Sequence, residues 1–103
     1  MIHDPFRAQM LRRAADVTIE RGQDYGPPSQ HFARTVGLIN ALYGTSFKPE
    51  DWGKMIMLDK LARDWETPKD DNLVDIAGYA ACIYEIRSHA RDALELARGG
   101  GVA

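Results

Sequence analysis

KMIMLDKLARDWETPKDDNLVDIAGYAA, from Lys54 to Ala81, reads as the end of one helix, a short turn marked by Pro68, and the start of a second helix. Its charged residues fall into two groups, Lys60 and Arg63 on the first helix and Asp71 and Asp75 on the second. The rest of the chain reads as scaffold around this helical hairpin.

The first helix of the pair, the third of the chain, is expected over Pro49–Trp65. Pro49 suits the first turn, where its missing N–H costs nothing, and Glu50 and Asp51 sit where the helix dipole favours negative charge. Met57, Leu58, Leu61, Ala62 and Trp65 share the spacing of an apolar face. Lys60 and Arg63 fall together on the other side, flanked by Asp59 and Asp64. Thr67-Pro68-Lys69-Asp70 has the pattern of a capping box with Asp as its acidic member. The fourth helix then runs from Pro68 or Asp71 to Arg98 and stops at Gly99-Gly100-Gly101. Its tail, SHARDALELARGGG, is long enough to pass beyond the domain.

Working back to the N-terminus, Asp4-Pro5 reads as N-cap and first turn of helix one, with Phe6, Met10, Ala14 and Val17 on one stripe and a stop near Gly22. The stretch RGQDYGPPSQHF, Arg21 to Phe32, reads as a loop because of its glycines and prolines. Either Tyr25 and Phe32 plug the core from this loop, or it presents Tyr25 as a stacking platform with Arg21, Gln23, Gln30 and His31 around it. Ser29 caps helix two, whose stripe is Phe32, Val36, Ile39 and Tyr43, with Gly44 following its end. No run alternates as a strand does. The fold class expected is all-α, a single domain of four helices over residues 1–103, with 1–4 and 99–103 as frayed termini.

A chain of 103 residues holds one domain at most, and 45% hydrophobic with 27% charged residues is the composition of a globular protein. Its net charge of -2 argues against DNA, RNA or anionic membranes as partners, since these want a basic surplus. No apolar run approaches the roughly 18 residues that span a bilayer, and the N-terminus lacks the apolar segment of a signal peptide. The single cysteine, Cys82, excludes an internal disulfide and suits a reducing cytoplasm. Cys82 reads as a small core residue rather than a nucleophile, and no Cys/His cluster has the spacing of a zinc site. His31 and His89 read as surface or helix-end residues.

On helix four, Asp71, Asp75, Gly78, Tyr79, Cys82 and Ile86 fall in one broad stripe, and Leu73, Ile76, Ala80 and Ile83 on the opposite side. Two apolar sides on one helix require cover on both, so a homo-oligomer, a dimer or larger buried chiefly through helices three and four, is expected. Asp75 is then set among Gly78, Tyr79 and Cys82, where a carboxylate is costly unless paired or bound to a cation. Two readings stay open: an ion-pair lock of Asp75 with Arg63 or Lys60, or a phosphate site held directly or through Mg²⁺. Arg63, planar and always charged, reads as the better mate for Asp75, and Lys60 as the point charge for a phosphate.

The elements RGQDYG followed by HF, MIMLDKLAR and DNLVDIAGYA resemble a family of small phage and prophage helical proteins of unassigned function, over about Arg7 to Arg87. That family is distantly similar to the MazG-like all-α nucleoside triphosphate pyrophosphohydrolases. The resemblance implies a MazG-like helical hairpin arrangement and a nucleotide ligand. It also implies a pair of acidic motifs, E-x-x-E and E-x-x-D, that bind Mg²⁺ and a triphosphate. At the matching positions this chain has Lys60-x-x-Arg63 and Asn72-x-x-Asp75, with Asp71 as a substitute ligand. Four carboxylates build a Mg²⁺ site, whereas a mixed cluster binds phosphate or itself.

Three functions are therefore expected as alternatives. The first is a binding protein for a nucleotide or cyclic-nucleotide-like phosphate ligand. Lys60, Arg63 and Arg21 would face the phosphate, Tyr25 or Tyr79 would stack on the base, and Asp75 would lie alongside, with no cofactor required. In a phage setting it would sequester a host signalling nucleotide in the host cytoplasm, an anti-defence role. The second is a divergent Mg²⁺-dependent pyrophosphohydrolase using Asp59, Asp71 and Asp75, the latter two as metal ligands. The third is an interaction protein in which Asp75 and Arg63 form only a lock.

Overall fold

The computed structural model describes residues 4–100 and is built from four helices with no strand among those residues. They are α1 (Phe6–Tyr25), α2 (Pro28–Tyr43), α3 (Pro49–Glu66) and α4 (Asp70–Glu95), the last closed by a π-helical turn over Leu96–Gly100. Of the ends expected to fray, 1–4 and 99–103, residues 1–3 and 101–103 lie outside the described residues. Asp4 pairs with Arg12 rather than capping α1, whose N-cap is Pro5.

Three boundaries differ from the sequence expectation. Helix α1 does not stop at Gly22 but continues to Tyr25, so RGQDY is helical and only Gly26 and Pro27 connect α1 to α2. A glycine inside a helix costs about 1 kcal/mol, which a long packed helix absorbs. The stop falls at Gly26, whose φ of 79° closes the chain back onto the Gly22 carbonyl. Ser29 lies inside α2, because Pro28 occupies the first turn directly after Pro27. Thr67 ends α3 instead of capping α4. The start of α4 is held from the preceding helix, where the Asp64 carboxylate accepts from the Lys69 N–H at 3.0 Å and from Asn72 Nδ2 at 3.3 Å. As expected, Asp51 serves the start of α3, accepting the Lys48 N–H at 2.7 Å.

Helices α3 and α4 pack antiparallel along most of their length, α2 lies on both, and α1 lies mainly on α4. Close approach is set at Gly53, where an added Cβ would fall 2.8 Å from Ile83 Cγ1 and 3.1 Å from Phe32 Cε2. Glycine there brings α2, α3 and α4 together at one point. The interior is thin: Ala14, Phe32, Val36, Val74 and Ile83 are the buried hydrophobic residues, and Asn72 is buried with them.

The phase of α3 is the main correction. Leu58, Leu61, Ala62 and Trp65 face solvent, Trp65 at 91% exposure, while Gly53, Met57, Lys60 and Asp64 lie inward. The wheel groups Leu58, Leu61, Ala62 and Trp65 on one arc, though not Met57, which lies inward with Lys60, and it cannot say which arc meets the body when the inward arc is led by a glycine. Tyr43 on α2 and Phe6 on α1, expected on inward stripes, are likewise exposed.

Candidate functional site

With α1 continued to Tyr25, Arg21 and Tyr25 lie one helical turn apart on the side facing α2 and α4. A cleft of about 300 Å³ opens there among α1, α2 and α4. Val17, Gly22, Val74 and Gly78 form its apolar parts. Four rings surround it: Tyr25 and His31 have centroids 6.0 Å apart, His31 and Phe32 6.1 Å, and Phe32 stacks on Tyr79 at 6.1 Å with 29° between planes. The stacked rings present flat apolar walls of the kind that accept a planar ligand.

The charged group of the cleft is Asp75, 12% exposed. Its Oδ2 receives Lys60 Nζ at 3.0 Å from α3, and its Oδ1 faces Arg21 Nη2 at 3.7 Å from α1. Lys60 is itself only 19% exposed and is consumed by this pair, whereas the Arg21 side chain is 55% exposed and its contact is loose. The three groups carry a net charge of one positive unit, with Arg21 at the open end. Deeper in, Thr18 Oγ1 lies 3.7 Å from Cys82 Sγ. Burial holds the Cys82 thiol above its ordinary pKa, outweighing the Thr18 contact that acts the other way, so the sulfur stays protonated and unreactive.

Of the residues expected at a site, Arg21, Tyr25, Asp75 and Tyr79 line this cleft, and Lys60 supports it through Asp75. Arg63 does not reach Asp75. It pairs with Asp59 at 3.0 Å on the exposed side of α3, so the expected Asp75–Arg63 lock is replaced by Asp75–Lys60. The reason is angular: Arg63 stands about 60° round the helix from Lys60, on the solvent side of it and not on the side that Met57 and Asp64 occupy. Asp71 binds Arg13 at the surface. Asp59, Asp71 and Asp75 thus pair with different cations, Arg63, Arg13, and Lys60 with Arg21, and do not converge, and no group of three or more His, Cys, Asp or Glu side chains gathers to hold a metal among the described residues. One cation-paired carboxylate does not fit Mg²⁺, which takes its protein ligands from unpaired oxygens.

Thr18 is the cleft member that the sequence reading leaves on the flank of helix one. His31 is set around Tyr25 in one of the two readings of the loop, Phe32 is a core plug beside Tyr25 in the other, and Cys82 falls next to Asp75. What the reading of Gly22 as a helix stop hides is that Arg21 and Tyr25 share one helix face.

A family model described as "Domain of unknown function (DUF6378)" matches residues 9–87. Every residue lining the cleft, from Val17 to Cys82, falls inside that match, as does Lys60. The chain is also similar to the "Gene 55 protein" of Mycobacterium phage L5, at 39% identity over 70 residues, 66% of this chain and 45% of the phage protein. The match therefore spans less than half the length of that relative. No solved structure matches the chain.

Proposed function

The chain belongs to the DUF6378 family, and we propose that it is a binding protein for a small planar ligand bearing a phosphate, of the nucleotide or cyclic-nucleotide class. The observation that carries this reading is the pairing, in one cleft, of aromatic walls with a cation that its carboxylate does not fully claim. Stacking on Tyr79 and Tyr25 suits a heteroaromatic base and is tolerant of its identity. Arg21, loosely held and half in solvent, offers a planar donor fork that fits a phosphate. A singly charged anion would neutralise the surplus positive unit of the Lys60–Asp75–Arg21 group. The cleft, about 300 Å³, lies at the small end of ligand sites, which run from about 300 to 1,000 Å³, and so suits a mononucleotide.

A nucleotide as the ligand class also accords with the distant MazG-like resemblance read from the sequence. Mg²⁺-dependent hydrolysis draws no support from the geometry, since the carboxylates it would use are separated and paired. A binding protein encoded by a phage, acting in the host cytoplasm, would sequester a host signalling nucleotide. The phage relative is what supports that setting.

A thermal-shift panel of nucleoside monophosphates, cyclic mononucleotides and cyclic dinucleotides, with and without Mg²⁺, tests the reading. A ligand raises the melting temperature by mass action. We expect stabilisation without Mg²⁺, lost by tenfold or more in affinity in Arg21→Ala, which should leave the ligand-free melting temperature almost unchanged. Tyr79→Ala should weaken binding by the ~1–3 kcal/mol of base stacking. A blank panel, or a ligand that binds both variants as well as the parent chain, would overturn the reading. Turnover that appears only with Mg²⁺ would replace it with hydrolysis.

A further inference from the structure

The chain exposes 7945 Å² of surface, whereas a closely packed monomer of 11.5 kDa exposes about 5,800 Å². Its radius of gyration is 16.6 Å, against about 13 Å for a globular chain of this length. The excess, on the order of 2,000 Å², is shared between the end of α4, where residues 89–98 are all exposed, and the hairpin face; a standard interface takes roughly 800 Å² from each partner. On the α3–α4 hairpin the exposed apolar residues are ordered in two stripes. On α3 these are Leu58, Leu61 and Trp65, at heptad spacing, and on α4 Leu73, Ala80 and Tyr84, at the same kind of spacing. The Lys60–Asp75 and Gly53–Ile83 contacts fix α3 and α4 side by side, with both stripes turned away from the residues that pack inward.

We infer that this outer face of the α3–α4 hairpin is the interface for a second copy of the same chain, with the ligand cleft left open on the opposite side of α4. The second copy is the occupant because the cover is needed for the fold itself. Only five hydrophobic residues are buried among the described residues, so the bare hairpin face adds to the core only when covered, and the cover must be present wherever the chain is. Only the chain itself meets that condition. A two-fold contact requires a self-complementary patch, and two neutral stripes of leucine, alanine and aromatic residues meet their own image without opposing charges. Leu38, Leu42 and Tyr43 on α2 are also exposed, but they lie on one helix and form no second stripe beside it.

Sedimentation equilibrium and the concentration dependence of melting test the inference. The parent chain should show twice the 11.5 kDa chain mass at micromolar concentration, with a melting temperature that rises with concentration. The double variant Leu61→Glu/Leu73→Glu should be monomeric or unfolded, and Leu38→Glu should remain dimeric. A monomeric parent chain, or a double variant that stays dimeric, would overturn the inference. Should the double variant fail to fold, Trp52→Phe leaves Trp65 as the sole tryptophan of the two in the sequence. Its indole should be shielded from iodide when concentrated and open on dilution. Quenching as free as that of indole in water at every concentration would count against the interface.

Discussion

Asp75 holds Lys60 through one carboxylate oxygen and faces Arg21 with the other, at 3.0 and 3.7 Å. The two cations are not equivalent. Lys60 has left water to reach the pair, and removing it strands a mostly buried carboxylate with only the looser contact to Arg21. Lys60→Ala should therefore lower stability by about 1–3 kcal/mol, less than a fully unpaired buried charge would cost. Arg63→Ala breaks an exposed pair one turn long and should cost no more than about 0.5 kcal/mol. Urea titrations of the two variants check this ordering, and a larger loss at Arg63 would mean that α3 is turned the other way. The identity of the lock was half legible in the sequence. Residue types alone favour arginine for a carboxylate, but the choice is made by which residue the helix turns inward. That depends on Gly53, whose missing side chain marks the inner arc of α3 without leaving any trace in an apolar pattern.

Helix α3 is fastened to α4 near both ends by different chemistry, Asp64 with the start of α4 at the turn and Glu50 with Arg87 at the far end. The Arg87 guanidinium donates to the Glu50 carboxylate at 2.5 Å and is the main cause holding its pKa below the ordinary value of 4.5. A carboxyl whose pKa is depressed by folding contributes stability above its unfolded value and loses it as pH falls through the folded one. Glu50→Gln should therefore lower stability by under about 1 kcal/mol near neutral pH, as befits a pair open to solvent. The difference from the parent chain should stay constant down to the ordinary carboxylate value and shrink below it. Denaturation midpoints across a pH series measure this, and a difference that widens on acidification would contradict it. At this scale most of the structure was legible: four helices, their order and the α3–α4 hairpin follow from period and proline placement. Of the three boundaries that were not, two turn on interactions beyond the local sequence. The continuation of α1 past Gly22 depends on packing that outweighs a local penalty, and the start of α4 depends on Asp64, which lies in the preceding helix and outside any local capping motif.

The molecule measures 51 × 42 × 22 Å, long and flat, with the cleft on one broad side and the bare hairpin face on the other. The cleft could be anticipated only in part from sequence. Asp75, Tyr79, Tyr25 and Arg21 could be nominated individually, but their convergence requires α1 to cross α4, which no spacing along the chain encodes. Beyond Arg87 the fourth helix leaves the body. Residues 89–98 are all exposed, and the family match ends at residue 87. Among the described residues the last side chain paired with another helix is Arg87, on Glu50, whereas Arg91 turns back along α4, its guanidinium 6.0 Å from the Tyr84 ring centroid. A helix end with no packed face adds little stability, since most helical stability in proteins comes from tertiary burial. Removing residues 92–103 should accordingly shift the melting temperature by less than about 4 °C, the change that roughly 1 kcal/mol produces in a domain of this size. Ligand binding and dimer mass should persist, because neither Arg21 and Tyr79 nor the Leu58–Leu61–Trp65 stripe lies near the removed segment. Calorimetry and sedimentation on the shortened chain provide the check. If the dimer were lost along with the tail, Leu94 and Leu96, both exposed in the single chain, would have to be part of the contact between copies. The interface would then run the full length of α4 instead of ending near Tyr84.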